Sequence, residues 1–430
     1  MRNAIEQLRE HLRTKRPLAG ALNALRFLGP GLLVTVGFID PGNWAANVAA
    51  GSAYGYQLLW MVTLGTLMLI LLQHNAAHLG IVTGDCIAES ATRHLPKWLS
   101  RPVLGSAVLA AAATAFAEIL GGAIALQMLF HLPLKLGAGL TALVAGVLLL
   151  LNSYGRLEKL IVGFVSLIGL AFIFELCLVD TDWGAAATGA MTPCFPPGAM
   201  LVIMSVLGAV VMPHNLFLHS EIIQSRQWNR QGEEAVESHL RFEWMDTIFS
   251  MGIGWLINGS MILLAAATFF KKGIKVDSLE QAEEMLHPVL GHSGHWAALV
   301  FALALLCAGL ASSITAGMAG GSVFAGVYGR AYDVRNGSSK AGVLLTLGSA
   351  LLAVFFVTDS FRALLVSQML LSVQLPVTIL LLIGLTSSRR VMGAHANGRL
   401  EKFALWFIAA IVTTLNLMLL WSLFRGFGRT

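Results

Sequence analysis

Long apolar runs alternate with short polar stretches over nearly the whole chain. A helix that crosses a bilayer needs roughly 20 apolar residues. On that measure the pattern predicts eleven spans: about 27–50, 56–78, 102–130, 134–152, a fifth ending near 178, then 198–222, 243–269, 295–325, 341–358, 361–386 and 403–425. The polar stretches between them include 79–101, a loop at 180–197 with Asp180, Asp182 and no Lys or Arg, and a longer loop at 270–293. A surface helix is expected in the last of these, opening at Ser278.

Composition agrees with the pattern. The chain has 430 residues, 56% hydrophobic and 12% charged, with a mean hydropathy of +0.74. Soluble proteins carry about 25% charged residues, so the class is an all-α polytopic membrane protein with the bilayer as its surroundings. The net charge of +5 is spread over short loops, which argues against a nucleic-acid partner. With the N-terminus cytoplasmic and the C-terminus outside, 21 of the 28 Lys and Arg fall at cytoplasmic ends, as the positive-inside rule requires. That orientation, in a cell (inner or plasma) membrane, is the expectation. Residues 1–26 are basic and amphipathic, and no cleavable signal is expected there. The four cysteines are scattered and support neither a disulfide framework nor a thiolate metal site.

Two spans are interrupted. The first carries Asp40-Pro41-Gly42-Asn43 near its middle, and the sixth carries Met212-Pro213-His214-Asn215. Proline removes a helical donor and clashes with the preceding turn. The expectation is therefore a helix break at 40–43 and another at 212–215. Non-helical backbone at membrane depth is tolerated where it lines a cavity or is buried in protein. Two breaks five spans apart point to an inverted-repeat transporter. The implied organisation is a cytoplasmic segment 1–26, a five-helix repeat 27–180, a second repeat 181–388, and 389–430 holding the last span and the C-terminus.

The breaks offer a carboxylate (Asp40), an amide oxygen (Asn43), a thioether (Met212) and freed carbonyls at Gly37 and Ala209. Mg²⁺ and Ca²⁺ want oxygen throughout, whereas sulfur favours softer ions. The set suits Mn²⁺ or Fe²⁺, and Cd²⁺ by its softness, each as substrate; no resident cofactor is expected. Glu118 inside the third span and His214 after the second break are candidates for a proton relay. Glu175, Glu243 and Asp246 are further buried-acid candidates. Thr247 and Asn258 lie eleven residues apart on one face of the seventh span, where they can line an outer gate. His74, Asn75 and His78 end the second span and read as solvated interfacial groups, and the run Ala316-Gly317-Met318-Ala319-Gly320-Gly321 reads as close helix packing.

These motifs resemble those of the Nramp (natural resistance-associated macrophage protein) divalent-metal transporters, in a bacterial-type form. The matches are Asp40-Pro41-Gly42-Asn43 and Met212-Pro213-His214-Asn215 followed by Leu216-Phe217-Leu218-His219-Ser220, with lesser ones at 55–60, 79–84 and Ser367-Gln368. The resemblance implies a LeuT-like fold and proton-linked import of Mn²⁺ or Fe²⁺. It implies ligation by Asp40, Asn43, Met212 and the Ala209 carbonyl, with Gln368 joining in some states, and a proton role for Glu118 and His214. The chain departs from the family where a second acid is usual, at Ala115, and where basic residues are usual, in the uncharged ninth span. Metal transport with altered proton coupling is therefore expected. The alternatives are a sodium-coupled solute carrier or a Mg²⁺ carrier on the same scaffold, and a sensor that has lost transport. No Ser/His/Asp set, phosphate-binding glycine loop or HExxH marks an enzyme. The oligomeric state is left open.

Overall fold

The computed structural model describes residues 30–151, 154–290 and 294–427. The basic segment 1–26 and the start of the first predicted span lie outside them. The described chain is helical: α1 (Pro30–Thr35), α2 (Pro41–Tyr54), α3 (Leu59–Thr83), α4 (Ile87–His94), α5 (Lys97–Phe130), α6 (Leu134–Leu151), α7 (Tyr154–Cys177), α8 (Trp183–Met191), α9 (Met200–Val210) and α10 (Pro213–Gln224). There follow α11 (Glu233–Thr268), α12 (Leu279–Leu290), α13 (Gly294–Val327), α14 (Gly337–Val354), α15 (Ser360–Thr386) and α16 (Arg399–Phe427). Among the described residues, ten helical stretches are long and apolar enough to cross a membrane. One of them, Pro41–Thr83, holds a turn at Gly55–Leu58 between α2 and α3. Gly55 has φ 59°, a conformation that a Cβ disfavours.

Both breaks fall earlier than expected. Backbone leaves the α-helix at Val36 and resumes it at Pro41, and the second interruption is Val211 and Met212, with Pro213 opening α10. The reason is local. Proline at the first position of a helix lacks only an N–H that would be unpaired anyway, and its fixed φ suits the helix. Each proline starts the second half-helix, and the non-helical turn precedes it.

Other differences come from reading hydropathy as helix length. The polar stretch 79–101 contains the end of α3, all of α4 and the start of α5, and the loop 180–197 contains α8. Helix α11 begins ten residues before the predicted span, in polar sequence that is helical without being apolar. The surface helix expected from Ser278 is α12. The small-residue run of α13 packs closely, as read: Gly317 abuts Leu149, and Gly320 abuts Thr346 of α14. Further along α13, Gly309 meets the backbone of Gly122, which brings α13 and α5 together without side chains between them. Gly121, beside Gly122 on α5, abuts Pro41 and so brings α5 up to the first break.

Candidate metal-transport site

Asp40 is the cap residue of α2. Its backbone is extended (φ −72°, ψ 158°), and its Oδ1 accepts the N–H of Asn43 at 2.6 Å, a bond that satisfies one of the free donors at a helix start. Pro41 and Pro213 have no N–H, so the carbonyls of Gly37 and Ala209, four residues earlier, lack an α-helical donor. The neighbouring Phe38 carbonyl accepts from Asn43 Nδ2 at 2.5 Å and from Asn258 Nδ2 at 2.7 Å. Asn258 Oδ1 in turn accepts from Asn47 Nδ2 at 2.6 Å.

The amides thus turn their N–H groups toward the break, and several oxygens are left over. Asp40 Oδ2, Asn43 Oδ1 and both polar atoms of Gln368 have no hydrogen-bond partner, although all three residues are 0% exposed. Gln368 lies where α2, α9 and α15 meet. Its amide fills the space that a Cβ on Gly42 would take, and its carbonyl lies against Gly208, next to Ala209.

Met212 is buried against Ala110 and Leu371, one helical turn along α15 from Gln368. Asn215 Nδ2 approaches its sulfur at 3.8 Å and the Val34 carbonyl at 3.4 Å, and the same amide occupies the room left by Gly37. Asn215 therefore joins the two breaks.

Glu118 is buried with its carboxyl beside that of Asp40, and Ser312 is its other polar neighbour; neither Glu118 oxygen makes a hydrogen bond of good geometry. His214 does not reach Glu118 through any direct bond among the described contacts. Its Nδ1 lies 3.0 Å from Thr114 Oγ1, and Thr114 sits one turn before Glu118 on the same face of α5. Ala115 is fully buried, with no acid in its place.

The remaining candidates separate. Asn258 belongs to the first break, but the Thr247 hydroxyl donates to Glu243 Oε1 at 2.5 Å, well away along α11. Asp246 Oδ2 accepts the Gly31 N–H at 2.8 Å and so anchors α1. Glu175 is buried on α7, with one oxygen unpaired. His74, Asn75 and His78 are not solvated ends. His74 Nδ1 is 2.6 Å from Glu243 Oε2, and Asn75 Oδ1 accepts from Asn397 at 2.7 Å. Helix α3 continues five residues past the predicted span, which buries Asn75 and His78 and leaves His74 part-buried. Sequence reasoning also misses Asn47 and Ser312. The four-residue spacing of Asn43 and Asn47 puts them on one helix face and is a readable signal; Ser312 has none.

The sequence model of the natural resistance-associated macrophage protein-like family matches residues 31–422. The chain belongs to the Nramp family. Among relatives of this Nramp chain, the divalent metal cation transporter MntH of Caldanaerobacter subterraneus is 36% identical over 406 residues, 94% of each chain. The solved manganese transporter of Eremococcus coleocola has a TM-score of 0.80 and 29% identity, over 92% of this chain and 86% of that one. A nucleobase-cation-symport-1 family transporter shares the fold alone, with a TM-score of 0.62 and 18% identity over 84% and 79% of the two chains. The Nramp chain thus has the all-α, LeuT-like membrane fold expected from its motifs.

Proposed function

We propose that this protein is a secondary active importer of divalent transition-metal ions, Mn²⁺ foremost and Fe²⁺ and Cd²⁺ besides, working by alternating access. The observation that carries the reading is the set of unpaired oxygens on fully buried Asp40, Asn43 and Gln368. A buried polar group left without a partner costs about 1–3 kcal/mol. Three such groups beside one helix break are explained together by a cation that they ligate. Carbonyls freed at Gly37 and Ala209 add neutral oxygens. Met212 brings the sulfur that turns the site from Mg²⁺ and Ca²⁺ toward transition metals. No set of three His, Cys, Asp or Glu arranged to hold a metal occurs among the described residues, so selection falls to this mixed set. The names of the relatives, a divalent metal cation transporter and a manganese transporter, point the same way.

Glu118 is the proton carrier in this reading. Its carboxyl lies against that of Asp40 and can exchange a proton with it as a dication enters or leaves, and Thr114 on α5 and His214 on α10 continue the polar path. Beyond them the path lacks charge: Ala115 is buried, and α14 has no ionisable residue after Lys340. Proton movement is therefore weakened or re-routed relative to family members with an acid at that position.

Proteoliposomes carrying a metal indicator and an internal pH dye test both parts. Wild-type protein should take up Mn²⁺, and Asp40→Ala should not. The acidification per Mn²⁺ should fall below that of a relative with an acid in the place of Ala115. Equal acidification overturns the coupling claim, and uptake of an organic solute that needs Na⁺ and ignores Mn²⁺ overturns the transport claim.

A further inference from the structure

A cavity of about 620 Å³ opens on the flank of the molecule between α5, α14 and α15, within the roughly 300–1,000 Å³ typical of small-molecule sites. Its walls are apolar: Phe116 on α5, with Ala350 and Ala353 on α14. Its inner wall is Ala113, which packs from its other side on the cluster holding Met212. The uncharged run of α14 supplies part of this apolar wall. At the mouth stand the exposed side chains of Asp359, in the turn before α15, and Arg362, in the first turn of α15. Asp359 Oδ1 caps α15 by accepting the Arg362 N–H at 2.9 Å. The Arg362 guanidinium takes part in none of the ion pairs among the described residues.

An apolar cavity facing lipid forfeits dispersion contacts unless something fills it. In a membrane the available filler is an acyl chain. The mouth selects the headgroup. Arginine recognises phosphate through paired N–H donors. A carboxylate three residues away repels a purely anionic headgroup but accepts N–H bonds from a primary ammonium. A trimethylammonium has no such hydrogens to give.

We propose that this cavity binds a membrane phospholipid of the phosphatidylethanolamine class, with one acyl chain between α5, α14 and α15, its phosphate on Arg362 and its ammonium on Asp359. The site is separate from the metal site and does not depend on what that site carries.

Native mass spectrometry of the full chain tests this, after incubation with equal amounts of dioleoyl phosphatidylethanolamine, phosphatidylcholine and phosphatidylglycerol. One phosphatidylethanolamine should be retained about tenfold over the others, the worth of one charge-assisted contact. Asp359→Asn, which keeps the cap on α15 but removes the carboxylate, should remove that preference. Ala353→Trp should block the chain and abolish retention, with gel filtration and Mn²⁺ calorimetry unchanged to show that the protein is folded. Equal retention of all three lipids, a preference for phosphatidylglycerol, or retention unmoved by both substitutions overturns the assignment.

Discussion

Met212 does two things in this account, and two substitutions separate them. Its side chain is 1% exposed and packed on Ala110 and Leu371, with Ala113 at the edge. Truncation of a buried Met to Ala costs about 2–5 kcal/mol, depending on how far the surroundings collapse. Here Ala110 and Ala113 have nothing to swing into the void, and only Leu371 can move, which places the cost in the upper half of that range. Met212→Leu conserves volume and should cost less than about 1.5 kcal/mol. Neither variant has a sulfur. Thermal unfolding in detergent should therefore show Met212→Ala strongly destabilised and Met212→Leu close to wild type. Calorimetry should show the two alike, with Mn²⁺ and Cd²⁺ weakened and Ca²⁺ or Mg²⁺ admitted. If Met212→Leu keeps the wild-type preference for Cd²⁺ over Ca²⁺, the thioether does not set selectivity, and the argument from ligand softness fails.

Two further outcomes follow from particular contacts. A Cβ on Gly208 would overlap the Gln368 carbonyl and lie 2.9 Å from Ser372 N; backbone cannot step aside, so Gly208→Ala should cost about 1–3 kcal/mol, read as a lower unfolding temperature, and unchanged stability would contradict the close approach of α9 and α15. Burial, with the Glu221 and Glu89 carboxylates nearby, pushes the Cys86 thiol well above its ordinary range. Only the thiolate reacts, and a raised pKa leaves little of it at pH 8, so maleimide should spare Cys86 until the protein is denatured. Labelling of the native protein at the denatured rate would show that Cys86 is not enclosed as described.

The membrane helices were legible because a bilayer demands long apolar runs, and the two breaks because proline and polar residues interrupt such runs. What hydropathy marks, however, is where apolar sequence ends. Helix α3 runs on past His78 through residues 79–83 and α11 begins in polar sequence, so the end of an apolar run marks neither helix end, and His74 and Asn75 lie within the packed helices rather than at a solvated terminus. Their partners Glu243 and Asn397 lie 169 and 322 residues away in sequence, and no local pattern reports a pairing of that range. Each break falls a few residues before its proline for a related reason. Inside a helix proline is a breaker, whereas at the first position of a helix it is a starter. Asp40 and Asn43 were identifiable by type, but the sequence could not show that Asp40 spends one oxygen on capping α2 and keeps the other free. Nor could it show that Gln368 fills the space beside Gly42, since that depends on where α15 crosses α2.

The central claim is that the free oxygen of Asp40 holds a divalent transition metal. Asp40→Asn tests it most directly. Asparagine caps a helix about as well as aspartate, so α2 and the break should stay as they are while the charge is removed. Isothermal calorimetry with Mn²⁺ should show saturable binding to the wild-type protein and none to Asp40→Asn, with the variant's unfolding temperature near wild type. Mn²⁺ binding of wild-type strength in a folded Asp40→Asn protein would place the metal elsewhere and contradict the account.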